Sequence, residues 1–388
     1  MKIAGRMSRL GMETAFDVLA QAKALEAQGR SVVHLEIGEP DFATPSPIIE
    51  AAKDALDKGF THYGSSQGLL ELCEMIAAEA TEVRGVKFNG SNVVVTPGAK
   101  PIMFFAIMAL AEAGDEVIYP DPGFPIYKSV IDFVGAKAVP LVLREENDFS
   151  IDLDELRSKI TPRTSLLILN SPQNPTGGIV PAEQLEEIAA LAVKHDFWVL
   201  SDEVYRRILY GGKHVSIASF PGMAERTMIL DGYSKTYAMT GWRLGFGIVP
   251  DPLVEHFVRL VNNSVSCTPT FIQKAALACS ETEADVAKMV AEFTARRKLV
   301  VEGLNAIDGI SCRWPAGAFY AFPNVTKVGM PGPEFAHRLL HEAGVATLSG
   351  TAFGEAGNGY LRISYANSQA NLTEALRRIK ESVASVKR

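Results

Sequence analysis

Cysteine is scarce in this chain. Cys73, Cys267, Cys279 and Cys312 are scattered and form no CxxC pair. No disulfide framework is expected, and thiols so used fit a reduced, cytoplasmic setting. HExxH is also missing, and no metal site is expected. The longest apolar stretch, 102–111, is about half as long as a bilayer-spanning helix and reads as a buried core helix. The N-terminal MKIAGRMSRLGMET is charged and leads into no apolar run, so a signal peptide is not expected. Positive charge is not in excess: 38 Lys and Arg stand against 45 Asp and Glu, a net −7. A nucleic-acid footprint is therefore not expected, and a small acidic metabolite would need a local cluster of cations. Repeats, low-complexity tracts and flexible linkers are lacking as well.

What is present is ordinary globular composition, 47% hydrophobic and 21% charged, over 388 residues. That length predicts two to three domains with a large core. Apolar runs at 92–96, 115–119, 165–169, 197–201, 227–231 and 243–249 read as strands. Several are apolar on both faces, as strands of a covered parallel sheet are. Helical stretches lie between them. In 181–195, Pro181 suits a first helical turn and Leu185, Ile188, Ala189 and Ala192 form a stripe. This alternation predicts an α/β domain with a mostly parallel sheet. The C-terminal part reads as a smaller α+β domain: helix about 281–305, strand 318–322, helix 333–343, strand 360–366, helix from about 371. The expected division is 46–285 for the large domain and 1–45 with 286–388 for the small one. The acidic cluster Glu281, Glu283 and Asp285 reads as a solvated surface turn.

In open α/β sheets, ligands sit beyond the carboxyl ends of the strands. After 92–96 comes Pro97-Gly98-Ala99-Lys100-Pro101. This is either a plain strand-to-helix turn or a cradle in which the N–H groups of Gly98, Ala99 and Lys100 hold an anion. After 165–169 comes Asn170-Ser171-Pro172-Gln173-Asn174-Pro175-Thr176-Gly177-Gly178, a rigid loop in which Asn174 offers donors and an acceptor. After 197–201 comes Asp202-Glu203-Val204-Tyr205. Asp202 either caps a following helix or meets a cation, and a helical turn would set Tyr205 on its face. After 227–231 comes Gly232-Tyr233-Ser234-Lys235-Thr236, then Gly241-Trp242-Arg243-Leu244-Gly245. The GxxxxGK[ST] spacing of a P-loop is missing there. In 360–366, Leu361, Ile363 and Tyr365 share one face and Arg362 the other, so Arg362 points away from its own domain's core. It is either a surface ion-pair partner or a carboxylate clamp. Together these groups suit a phosphorylated aromatic cofactor that a lysine can hold covalently.

On these motifs the chain resembles the class I aminotransferases, pyridoxal-phosphate enzymes of fold type I. It is similar to the subgroup of prokaryotic aspartate and aromatic aminotransferases. The resemblance runs from Leu35-Glu36-Ile37-Gly38-Glu39-Pro40-Asp41-Phe42 through Tyr63 with Gly68 and the four segments above to Arg362. Its most specific segment is the lysine followed by glycine-x-arginine, with Arg243 eight residues beyond Lys235. The resemblance implies a large domain with a mostly parallel, seven-stranded type of sheet. It implies pyridoxal 5'-phosphate as cofactor and Lys235 as the Schiff-base lysine that also moves the substrate proton. Asp202 is implied at the pyridine nitrogen, and Tyr205 with Asn174 at the ring oxygen. Arg243 and the amides of Ala99 and Lys100 fall at the phosphate, Gly98 and Ser234 are also implied as cofactor-binding, and Phe124 stacks on the ring. Arg362 would grip the substrate α-carboxylate, with Gly38, Asn174 and Phe124 nearby. Tyr63 would reach the phosphate of a neighbouring subunit, which implies a homodimer.

The implied reaction is ping-pong transfer of an amino group from an L-amino acid (aspartate, aromatic or other donor) to a 2-oxo acid such as 2-oxoglutarate. Nucleic acid and membrane are not expected partners. A C–S β-lyase on the same scaffold is the alternative; it would release pyruvate and ammonia from cystathionine without an added oxo acid. A ligand-sensing domain of a DNA-binding regulator is disfavoured by the missing basic stripe. A nicotinamide dehydrogenase is disfavoured because no GxGxxG follows the first strand. Gly232 stands where many family members carry a phosphate-binding serine, and Phe124 where typical aspartate aminotransferases of this type carry tryptophan. Residues 260–270 offer no arginine for a distal carboxylate. These departures argue against strict aspartate specificity.

Overall fold

A computed structural model describes residues 1–386. Its strands, in chain order, are β1 (Val33–His34), β2 (Val93–Thr96), β3 (Glu116–Asp121), β4 (Lys137–Val142), β5 (Thr164–Asn170), β6 (Trp198–Asp202), β7 (Thr227–Gly232), β8 (Gly245–Ile248), β9 (Tyr320–Ala321), β10 (Val345–Ala346), β11 (Leu348–Ser349) and β12 (Leu361–Ser364). Seven of them form one sheet in the order β2-β8-β7-β6-β5-β3-β4. β8 runs antiparallel to both neighbours, and the other pairings are parallel. This is the mostly parallel α/β sheet expected from the alternation of strands and helices. The sequence reading misses β4, because Lys137 and Pro140 break its apolar run. It is an edge strand, where a missing N–H is tolerated.

Both faces of the sheet are covered. Val94, Leu166, Ile168, Leu200, Met228 and Leu230 pack on one side with the helices Lys100–Leu110, Ile126–Val134 and Asp251–Val265. Leu167, Leu169 and Val199 face the other side with the helix Ala182–His195, and Val93, Val95 and Ile229 with Leu70–Arg84. Burying each such side chain contributes about 1.5–3 kcal/mol. In Ala182–His195 the stripe Leu185, Ile188, Ala189 and Ala192 is buried as expected. Pro181 stands one step earlier than expected, at the N-cap with extended backbone. Asp196 in the left-handed region ends the helix.

The C-terminal part holds a second core. Phe293, Val300, Val301 and Leu304 of the helix Glu283–Asn305 pack with Leu372, Ala375 and Ile379 of Gln369–Val386, and with Phe319, Tyr320, Leu361 and Ile363. Val33 and Leu35 join this core, and β1 pairs with β10. The first residues go elsewhere: Arg9 donates to Phe133 O and Gly11 N to Ser129 Oγ, both on Ile126–Val134. Among the described residues no helix is long and apolar enough to cross a membrane. Glu283 and Asp285 open the helix Glu283–Asn305, and Glu283 pairs with Arg207.

Candidate active site

Register brings the expected residues together. Asn170 sits beside Asp202, Asp202 beside Leu230, and Gly232 beside Gly245, which in turn faces Thr96. The segments that follow β2, β5, β6 and β7 therefore converge at the carboxyl end of these strands. They border a cavity of about 560 Å³. Gly38, Ala99, Lys100, Phe124, Asn174 and Asp202 line it, as do Tyr205, Ser234, Lys235, Arg243 and Arg362. Gly98 lies just behind Arg243. Tyr63 is not at this cavity; it is 90% exposed beside a separate groove with Phe60, Cys267 and Phe271.

Lys235 stands on the short helical turn Tyr233–Thr236 that continues from β7. Its Nζ donates to Gly38 O at 2.6 Å. Burial lowers its pKa to about 8, and Arg362 and Arg243 add to the fall against Glu39 and Glu13. A larger fraction of the amine is thus neutral near physiological pH, as a nucleophile requires. A Cβ on Gly38 would lie 2.1 Å from the Tyr320 hydroxyl, so only glycine lets the backbone come this close.

Asp202 ends β6, on the face that carries Leu200 and Leu230. Its Oδ2 accepts from Tyr127 Oη at 2.5 Å and its Oδ1 from Val204 N at 3.3 Å. Burial raises its pKa to about 6, although the Tyr127 bond opposes the rise. No helix follows, so Asp202 caps none, and Tyr205 enters the cavity from an irregular turn. Among the described residues no cation pairs with this carboxylate, which suits it to a protonated ring nitrogen. Tyr205 shares a hydrogen bond of 2.7 Å with Tyr320.

Asn174 N donates to Asn170 Oδ1 at 3.0 Å, and Asn174 Oδ1 accepts from Arg362 Nη1 at 3.2 Å. Arg362 also donates to Glu36 O and stands over the Tyr320 ring, 4.6 Å from its centroid. It is buried, and its Nε has no partner. An unpaired buried guanidinium donor is costly and marks a place for an anion. Of the two readings, carboxylate clamp and surface ion pair, the surface one is thereby excluded. Its strand neighbours Leu361, Ile363 and Tyr365 do face the C-terminal core.

At the other end, Arg243 adopts φ 55° and its Nη1 donates to Thr240 O at 2.8 Å. Arg243 precedes β8 instead of starting it. Gly98 has φ +83°, and a Cβ there would lie 2.1 Å from Arg243 Nη2. The helix Lys100–Leu110 begins beside this point, with Pro101 in its first turn as expected. Free helix N–H groups and a guanidinium together make an anion cradle. A Cβ on Gly232 would meet Gly245 Cα at 3.1 Å and Leu244 O at 3.3 Å, so a serine there requires these neighbours to give by a few tenths of an ångström.

Sequence reasoning missed Tyr127, Tyr320 and Glu13, all of which line the cavity. Tyr127 lies three residues beyond Phe124 and packs edge-on against it, 5.7 Å between centroids. No local pattern reveals its bond to a residue 75 positions away.

The family model for aminotransferase class I and II matches residues 30–379. The chain belongs to this family. It is similar to an aspartate aminotransferase of Pyrococcus abyssi, at 43% identity over 94% of this chain and 93% of the relative. It is also similar to aromatic-amino-acid aminotransferase 2 of Thermococcus litoralis, at 42% identity over 92% of each chain. Among solved structures it resembles the aspartate aminotransferase of Thermus thermophilus, with a TM-score of 0.95, 36% identity and coverage of 98% of this chain and 100% of that one. The protein is accordingly an aminotransferase of fold type I that uses pyridoxal phosphate. The cavity fits that cofactor: an anion cradle at Gly98 and Arg243, a buried carboxylate without a cation at Asp202, and on the same cavity wall a lysine of lowered pKa.

Proposed function

We propose that this aminotransferase moves an amino group from an L-amino acid, whether aspartate, aromatic or other, to a 2-oxo acid, with 2-oxoglutarate as an acceptor, in a ping-pong cycle. One observation carries the reading. The Lys235 amine stands in a single cavity with the Asp202 carboxylate and with the unpaired Nε donor of Arg362. When bound, pyridoxal phosphate supplies an aldehyde that takes up the amino group and a ring that draws electrons from the substrate α-carbon. Asp202 holds a proton on the ring nitrogen, and Tyr127 fixes the carboxylate. Tyr205 and Asn174 bond the ring oxygen. Arg243, Ser234 and the Gly98–Lys100 amides hold the phosphate, and Phe124 covers the ring. Arg362 fixes the substrate carboxylate beside Gly38 and Asn174. Lys235 Nζ would accept the proton from the substrate α-carbon as a general base.

The relatives above, named for aspartate and for aromatic donors, are almost equally similar to this chain, so similarity alone does not select a donor. We propose two working units, 46–285 and 1–45 with 286–388, supported by the separate cores on either side of the cavity. We propose also a cytoplasmic homodimer. Tyr63, exposed and away from its own cavity, supports a role in the partner's site.

The test is borohydride reduction of the holoenzyme followed by peptide mapping. The cofactor tag is expected on Lys235; a tag on another lysine overturns the assignment. With a single amino acid and no oxo acid the cofactor colour should bleach once and turnover should stop, whereas a lyase would continue.

A further inference from the structure

The cavity mouth holds an ion pair that the roles above do not use. Lys100 extends its ammonium to Glu13 Oε1 and stands 5.3 Å from the centroid of the Phe124 ring. The other cations lining the cavity have roles in the proposed function: Lys235 at the cofactor aldehyde, Arg243 at the phosphate and Arg362 at the α-carboxylate. Lys100 is thus the cation left to face the far end of a substrate whose α-carboxylate lies at Arg362. Its existing partner is a carboxylate.

Glu13 occupies the N-cap of the helix Thr14–Ala27, yet its side chain makes no capping bond. The short side chains favoured at that position, such as aspartate or serine, would accept from the free N–H groups of the helix. Glu13 turns to Lys100 instead. The backbone on either side is anchored: Gly11 N donates to Ser129 Oγ at 2.8 Å, and Ala22 and Leu25 are buried against Leu340 and Ala346. The Glu13 side chain is 17% exposed and that of Lys100 46%, so the carboxylate is the better enclosed partner. Its charge is felt at both Lys235 and Arg362.

We propose that Glu13 is a specificity-determining residue: it pairs with Lys100 in place of a substrate's distal carboxylate. Neutral aliphatic and aromatic donors then enter without leaving Lys100 unpaired, against the apolar walls of Phe16, Met103 and Phe124. A dicarboxylic substrate, aspartate as donor or 2-oxoglutarate as acceptor, must displace Glu13 to reach Lys100, because two carboxylates crowded at one ammonium repel. This inference rests on the proposed placing of the α-carboxylate at Arg362 and deepens it to a substrate class.

The test uses holoenzyme and single-turnover bleaching with aspartate and with phenylalanine. In Glu13→Gln the ratio of kcat/KM for aspartate to that for phenylalanine should rise roughly five-fold or more. Glu13→Ala should shift it the same way. In a Lys100→Met background the Glu13→Gln substitution should no longer raise the ratio, since the coupled partner is gone. A ratio that stays within two-fold or falls, or one that rises equally without Lys100, overturns the proposal. Arg362→Lys separates the two readings: it should slow both donors together, and if it does not, the α-carboxylate is misplaced whatever Glu13 does.

Discussion

Burial acts on Asp202 and Lys235 in opposite directions, pushing the carboxyl up to about 6 and the amine down to about 8. For Lys235 the consequence reaches folding. The unfolded chain binds the lysine proton more tightly, with the ordinary value of 10.5. The buried ammonium therefore costs stability, in full below about pH 8, and the penalty fades as pH rises toward 10.5. Lys235→Met apoenzyme should melt roughly 2–4 °C above wild-type apoenzyme at pH 7, with the gain shrinking by pH 10. Calorimetry at both pH values checks this; a gain independent of pH would mean that packing, not charge, is responsible. At this scale the sequence was legible. Lys235, Asp202, Asn174, Tyr205 and Arg243 line the cavity because each ends, follows or flanks a strand of the large sheet, and Arg362 because alternation on β12 turns it from its own domain's core. Tyr127 was not legible, since its bond to Asp202 spans two elements that only folding brings together.

Strand alternation sorts the charges at the end of the sheet onto two faces. Asp202 faces the cavity. Ser201, Asp231 and Glu203 turn to the opposite side, where Arg84 Nη2 lies 2.6 Å from Glu203 Oε2 and Arg206 Nε 2.5 Å from Asp231 Oδ2. His214 Nε2 is 2.9 Å from Glu203 Oε2, and Ser201 donates to Glu203 Oε1. Burial pushes the Glu203 carboxyl up, but Arg84 and His214 more than offset this and hold it well below the usual range. Asp231 Oδ1 also accepts from Gly232 N at 2.7 Å, so the network braces the turn that carries Lys235. Removing one charge leaves its partner buried and uncompensated. Glu203→Gln should lose about 3 kcal/mol in urea unfolding. A loss under about 0.5 kcal/mol, typical of a surface site, would show that the ions are solvated. Helix and strand types were read correctly through most of the chain because their periods are strong. β4 was missed because its apolar run is broken by Lys137 and Pro140, and its pairing with β3 supplies what its own sequence does not.

At the scale of the whole molecule, Tyr63 is the residue that tests the proposed homodimer. If it serves the partner's cavity, Tyr63→Phe should weaken cofactor binding about ten-fold, the usual order for loss of a hydrogen bond to a charged group. Mixed dimers of Tyr63→Phe with Lys235→Ala chains should regain wild-type affinity at one site in each dimer, because the lysine-bearing site then receives an intact tyrosine. Titrating pyridoxal phosphate into the mixture measures this; no recovery would place Tyr63 outside the neighbouring site.

The sequence by itself determined the periodic elements and the chemistry at the strand ends, because period, glycine position and residue type are local properties that one chain segment carries alone. Only the tertiary structure decided which of those ends meet, that Tyr127 and Tyr320 join them, and that Glu13 crosses from the N-terminal segment to Lys100. Those contacts depend on strand order and register, which are set by how both faces of the sheet are covered and not by any one stretch of residues.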